Sequence, residues 1–187
     1  SQYWADVLVR EDIIAKNTNA NALDSATCSC TLVVSVLMIS LTGTLSTGES
    51  TRSGESEIWI CDGDGSNPVQ ATHFGGGFVS WPQWSPDSQW IVFPLRDRQR
   101  SSIHVLHIAD GQVRRLTSGE SDDMLPSWSR DGRWIYFTSD RSGDWQIWKI
   151  PSQGGGAVRI TRNGGHGPLE SWDGRYLNYV KDFNVPG

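Results

Sequence analysis

The 187-residue chain has little cysteine: only Cys28, Cys30 and Cys61. An odd count at these spacings excludes a disulfide framework of the kind that staples small secreted domains. Cys28 and Cys30 lack the second pair or nearby histidine that would complete a metal site, so they read as small apolar side chains, and no metal or cofactor is expected. A basic stripe is also missing. The densest basic cluster, Arg96, Arg98 and Arg100, is interrupted by Asp97, and the net charge is -5, so nucleic acid is not an expected partner. No Asn-x-Ser/Thr sequon occurs, and the first residues lack a basic region followed at once by an apolar core, so no ordinary signal peptide is expected there.

What is abundant is tryptophan, ten residues, together with twenty glycines. Large flat side chains alternating with tight turns suit a β-rich fold of short strands. The chain divides into unlike parts. Residues 1–50 form an atypical N-terminal segment, with Ala5 to Ala15 readable as a short amphipathic helix and a polar break at Asn17 to Asn21. Ser25 to Gly48 carries no charge, which leaves membrane contact through residues 25–48 open. Its apolar centre, Leu32 to Ile39, is rich in β-branched residues and favours one or two buried strands over a membrane or interfacial helix.

Residues 51–187 repeat. Ile58-Trp59-Ile60 recurs as Ile103-His104-Val105 and Ile147-Trp148-Lys149, at intervals of 45 and 44. Thr72, Thr117 and Thr161 keep the same intervals, each closing a short strand. Trp84-Ser85-Pro86-Asp87-Ser88 recurs as Trp128-Ser129-Arg130-Asp131-Gly132, and Glu170-Ser171-Trp172-Asp173-Gly174 fills a third slot. Within the middle unit, Pro126–Ser129, Trp134–Thr138, Ile147–Ile150 and Val158–Thr161 read as four strands separated by turn chemistry. Four short strands per period of about 40–45 residues define a propeller blade. The expected fold is therefore all-β: partial β-propeller blades of four-stranded antiparallel sheets, about three repeats.

The stretches Pro82 to Asp87, Ile91 to Phe93, Arg114 to Thr117, Pro126 to Gly132 and Ile135 to Arg141 resemble the TolB-like repeat, the Pro-Asp variant of the WD-type propeller repeat. The same repeat occurs in tricorn-like proteases and in propeller tails of bacterial regulators. The resemblance implies a bacterial, extracytoplasmic protein (periplasmic or secreted) that works through protein–protein contacts. Ser88 in place of the turn glycine, Glu170 in place of tryptophan and Trp172 in place of proline depart from the pattern. A hydrolase nucleophile elbow, Gly-x-Ser-x-Gly, is absent from the sequence, and no catalytic residue is expected.

In phase, Thr51 to Thr72 shows only third and fourth strands, blades at about 78–117 and 122–161 are whole, and 167–181 supplies first and second strands. Two whole blades between two halves cannot close a ring of 4–8 blades. The expectation is a fragment of a larger propeller or a domain completed by a partner; the alternatives are that residues 25–50 build another partial blade, or that a homodimer forms a six-bladed ring. The other functional readings are the sensor tail of a membrane-anchored regulator and the accessory propeller of a prolyl-oligopeptidase or tricorn-like peptidase.

Candidate chemistry is sparse. Asp62 to Asn67 opens like a calcium loop, but Asn67 and His73 stand where glycine and glutamate are required, so a hairpin turn is expected. His104 and His107 sit three apart on one strand, point to opposite faces and cannot share a metal. The second-to-third-strand loops and the blade-to-blade connections share one end. That end gathers His73, Phe74, Arg96, Arg98, Asp122, Asp123, Arg141 and His166, a mixed-charge rim suited to a protein or peptide partner. Arg98 and Asp123 read as surface residues replaceable by alanine without loss of folding.

Overall fold

The computed structural model describes residues 38–39, 45–51, 53–97 and 100–181, all within the unit Leu32–Gly187. Runs of β-branched and aromatic residues, separated by Gly, Pro, Asp and Ser, form fifteen short strands among the described residues. The first sheet orders β1 (Met38–Ile39), β2 (Leu45–Ser50), β3 (Glu57–Asp62) and β4 (Val69–Gln70). In the second, β5 (Phe78–Val79) and β6 (Gln83–Trp84) both pair β7 (Trp90–Asp97), which is followed by β8 (Arg100–His107) and β9 (Val113–Arg115). The third orders β10 (Asp123–Trp128), β11 (Trp134–Ser139), β12 (Gln146–Pro151) and β13 (Val158–Arg159). The last holds β14 (His166–Glu170) and β15 (Leu177–Val180). All strand pairings are antiparallel.

The half-blade expected before Thr72 is a whole one. Leu45–Ser50 pairs residue for residue with Glu57–Asp62, and Met38–Ile39 adds beside it. Met38–Ile39 ends the stretch that reads as strand from its β-branched residues, while Leu45–Ser50 carries no Trp-Ser-x-Asp signature and is hidden in the sequence. Thr47, fully buried, donates its hydroxyl to the Trp59 carbonyl at 3.2 Å and fixes the pairing. Of residues 25–48, only 38–39 and 45–48 are described, and these are strand. No described helix is long and apolar enough to cross a membrane. Cys28, Cys30 and the segment Ala5 to Ala15 lie outside the described residues.

Blades pack because their central strands are apolar on both faces, the pattern of a strand covered on two sides. From β7, Ile91 and Phe93 enter one cluster with Ile58, Val79, Trp84 and Leu106. Val92, on the opposite face, joins Ile103, Val105, Ile135, Phe137 and Ile150. Phe93 and Phe137 are wholly buried, and truncating either to alanine would cost roughly 3–5 kcal/mol. A kink recurs along the first strand of the last three sheets. Trp81 (φ 48°), Leu125 (φ 50°) and Gly167 (φ 58°) adopt left-handed backbone, each just before a proline, and β10 shifts register between Met124 and Ser127.

The Ser-x-Asp turns are the same device built three times. In the second blade, Ser85 donates its hydroxyl to Asp87 Oδ1 (2.5 Å), Asp87 accepts the Gln89 amide (3.0 Å), and Ser85 Oγ accepts the Trp90 amide (2.9 Å). Ser129, Asp131 and Trp134 repeat it, as do Ser171, Asp173 and Tyr176. The Ser129 hydroxyl and the Arg133 amide hold the Asp131 carboxyl down at about 2. The following position is left-handed in all three turns: Ser88 (φ 57°), Gly132 (φ 70°) and Gly174 (φ 69°). Only Ser88 carries a Cβ there, and left-handed backbone costs an L-residue about 1–2 kcal/mol. Ser88→Gly is therefore expected to raise stability by about 0.5–1 kcal/mol in urea denaturation, the gain being trimmed by the extra freedom of glycine in the unfolded chain. A loss of stability would count against this reading of the turn.

His104 occupies the slot of Trp59 and Trp148. It stacks on Phe93 with centroids 5.7 Å apart, and its Nδ1 lies 3.0 Å from the Ser102 carbonyl. Burial, with a smaller push from Arg115, holds its pKa below 6.5 despite that hydrogen bond. Below about pH 6.5 the unfolded chain therefore binds a proton that the folded chain refuses, and stability falls as pH drops towards the folded value. His104→Phe should remove that part of the pH dependence, seen as a smaller difference between urea midpoints at pH 7.5 and 5.5.

Candidate interaction face

The loop end of the blades is tied together by polar side chains that recur with the repeat. Thr72 Oγ1 accepts the Ile58 amide (2.9 Å), and Thr117 and Thr161 do the same for Ile103 (2.9 Å) and Ile147 (2.8 Å). In the first blade Thr72 donates onward to Glu57 (2.6 Å), whose other oxygen accepts the amides of Phe74 (2.6 Å) and Gly75 (3.3 Å). In the third blade Thr161 donates to Gln146 Oε1 (2.8 Å), which also accepts the Gly164 amide (3.2 Å). Each buried acceptor thus anchors the chain leaving its blade.

A second network joins the second and third blades. Asp122 accepts the Ser101 amide (2.8 Å) and donates its own amide to Asp140 (2.8 Å), while Arg100 lies 3.5 Å from Asp122 and 3.6 Å from Asp140. Arg141 Nη2 contacts both oxygens of Asp123, at 3.0 and 2.9 Å. The Asp123 side chain is 2% exposed and that of Arg141 22%. The Arg141 guanidinium also lies over Phe137 and Trp148, 5.0 and 5.1 Å from their centroids. At the equivalent β5–β7 pairing the polar latch is replaced by apolar Val79 opposite Leu95.

The structure therefore sorts the rim residues. Asp122, Asp123 and Arg141 come together, and they work beneath the face as an internal latch. His73 and Arg96 are exposed. Phe74 is half-buried and packs on Phe93 at 5.8 Å, and His166 sits 5.7 Å from the Trp145 ring. Arg98 lies outside the described residues. Beside the latch is an open depression of about 560 Å³ lined in part by Arg100, Ser118, Glu120, Ser121 and Arg141. Sequence reading passed over Glu57 and Gln146. The signal available was their shared place just before Ile58 and Ile147, where the second blade has Ser102. No group of three His, Cys, Asp or Glu side chains is placed to hold a metal among the described residues.

Glu170, which departs from the repeat, joins the last two sheets. Its carboxylate accepts the Arg130 amide (2.5 Å) and the Tyr136 hydroxyl (3.0 Å). Burial first, then that bond, pushes the Tyr136 pKa up to about 12. Trp172, the neighbouring departure, stacks under the Arg130 guanidinium at 5.2 Å.

With four sheets of one repeated geometry described, the comparisons with known proteins fall into place. The model of the TolB beta propeller domain matches residues 50–185. The chain belongs to the TolB beta-propeller family. An uncharacterized protein of Agrobacterium fabrum is 36% identical over 109 residues, 58% of this chain and 36% of that protein. The Tol-Pal system protein TolB of Desulfosudis oleivorans is 28% identical over 116 residues, 62% of this chain and 26% of that protein. A solved structure assigned as TolB from Agrobacterium tumefaciens superposes with a TM-score of 0.71 at 32% identity, covering 79% of this chain and 54% of that one. This TolB-family chain spans about a quarter to a third of the length of those two relatives. The likeness reaches puromycin hydrolase at 18% identity and a TM-score of 0.56, where it shows the fold alone.

Removing one partner of a buried ion pair strands the other, at a cost of about 3 kcal/mol or more. Asp123→Ala is thus expected to destabilise by about 3 kcal/mol in urea denaturation, contrary to its reading as a replaceable surface residue. Adding Arg141→Ala should recover part of the loss. A cost under about 1 kcal/mol would show the latch to be incidental.

Proposed function

We propose that this chain is a non-enzymatic propeller scaffold for protein–protein contact in an extracytoplasmic compartment, working within a larger propeller or completed by a partner. The observation that carries this is the loop face. Buried Glu57, Gln146 and the Asp123–Arg141 pair fix the connections, so that exposed His73, Arg96 and Arg100 are presented on a stiff platform. A pre-ordered polar rim lowers the entropic cost of binding a partner. The Tol-Pal name of the Desulfosudis relative supports the same class of role. The peptidase-appendage reading has only fold likeness behind it.

Completion is the second element of the proposal. Among the described residues β15 pairs only β14, and Leu169, Trp172, Tyr176, Tyr179 and Val180 around it are exposed. An uncovered strand edge beside apolar side chains is a surface that further strands would cover. The six-bladed homodimer fits less well than the half-blade count suggested. Each copy brings three whole blades as well as β14–β15, so two copies exceed six unless that pair is displaced.

The test uses His73→Ala with Arg96→Glu, neither of which takes part in the latch. The double variant should unfold at the wild-type midpoint while retaining at least about tenfold less partner protein in a cross-linked pull-down from the periplasm of the source organism. Equal retention would overturn the loop-face assignment.

A further inference from the structure

The outer strands of adjacent blades are separated by a groove, and the repeat shows what fills it. Between the second and third blades it is filled by Arg114 of β9. Its Nη2 donates to the Ser152 carbonyl (2.9 Å), its Nη1 to the Gln153 carbonyl (3.0 Å), and its guanidinium lies 5.6 Å from the Trp90 ring centroid. Arg114 pairs with Val105 in register, and the matching pair in the first blade is Val69 with Ile60. Valine is too short to reach across. Between the first two blades there is accordingly an open groove of about 370 Å³, walled by Ile60, Val69, Ala71, Leu106 and Ile108, with Val69 64% exposed.

The far side of this groove keeps the acceptors that Arg114 uses in the next one. Ile108 and Ala109 stand 44 residues before Ser152 and Gln153, in the same turn: the Ile108 amide donates to Gln89 (3.0 Å) as the Ser152 amide donates to Arg133 (2.9 Å). Among the described residues no group donates to the carbonyls of Ile108 or Ala109. The next residue, Asp110, places an exposed carboxylate where the third blade has Gly154. That carboxylate is held by His107 Nδ1 (2.9 Å) and the Gln112 amide (3.0 Å), and the amide bond and the imidazole keep its pKa below the usual value, so it is charged at neutral pH. Gln70, the one other polar side chain on the near wall, is already bonded to the Thr72 carbonyl (2.8 Å). An apolar channel ending in two carbonyls and a carboxylate suits a long aliphatic stem with a planar cationic head.

We propose that this groove receives an arginine side chain presented by a partner protein, which supplies in trans the bonds to the turn carbonyls that Arg114 makes in cis. The proposal deepens the scaffold reading and rests on it only for the source of the arginine. Its test needs no partner, so the two can fail separately.

Methyl-detected NMR of the full chain is titrated with N-acetyl-arginine amide, and separately with the leucine and lysine amides. Saturable shifts are expected at the methyls of Val69, Ala71 and Ile108, with arginine binding at least about fivefold more tightly than leucine because charge-assisted bonds to the turn are added to the apolar contact. Val69→Arg should abolish those shifts and raise the unfolding midpoint, by filling the groove from within. Asp110→Asn should weaken arginine binding and leave leucine binding unchanged, and this holds the test together if Val69→Arg does not fold. Absence of saturable shifts, equal binding of arginine and leucine, or undiminished arginine binding to folded Val69→Arg would each overturn the proposal.

Discussion

The interaction on which the rest depends is the threonine hydroxyl that closes each blade. Thr72, Thr117 and Thr161 stand where the fourth strand runs out, and each accepts a third-strand amide that would otherwise be buried without a partner. An unsatisfied buried amide costs about 1–3 kcal/mol, so the sheet can end there only because a side chain takes over from the backbone. In the first and third blades the same hydroxyl donates to Glu57 or Gln146, which fixes the start of the next connection. One hydroxyl therefore couples the end of a sheet to the placement of the following one. The chain leaving the first and third blades is directed by that coupling, whereas after the second blade Asp122 takes the part by accepting the Ser101 amide.

Between blades the constraint changes from polar to apolar. The β7 strand must satisfy two neighbours at once, and it does so with Phe93 on one face and Val92 on the other. Where a blade lacks the large apolar residue of the repeat, a polar one works only if it is fully paired. Glu170 meets that condition through Arg130 and Tyr136, and His104 meets it through the Ser102 carbonyl and the Phe93 ring. Both replacements sit at an inter-blade surface, where an unpaired polar group would be costly. Departures from the repeat are tolerated there because each brings its own partners.

The legible parts of the fold were those with a residue-level signature. The Trp-Ser-x-Asp turns showed in the sequence because their hydrogen bonds demand serine and aspartate at fixed spacing, and the strands of the second and third blades followed from that spacing. β1 (Met38–Ile39) falls in the β-branched stretch that already read as strand, whereas β2 was hidden because a ladder such as Gly48 opposite Trp59 is made by backbone, which any residue supplies. The rim was only partly legible for a related reason. A loop position such as Asp123 reads as exposed from its place in the chain, and only the register of β10 on β11 reveals that its carboxylate turns inward towards Arg141. Polar residues near loops are ambiguous in sequence because solvent and a buried partner satisfy them equally well.

In a repeat every blade is a control for its neighbour, with the same backbone frame and a different side chain. Where Arg114 bridges two blades and Val69 does not, the backbone carbonyls of the receiving turn are set by the fold and remain in place whether or not an arginine reaches them. The groove between the first two blades thus keeps the shape and polarity of a site whose occupant, in the next blade, belongs to the chain itself. With valine at position 69 the turn Ile108–Asp110 and the wall of Ile60 and Leu106 still offer the carbonyls and the apolar channel, while Leu45 stands at the register position of Trp90, so the aromatic contact of Arg114 has no counterpart there.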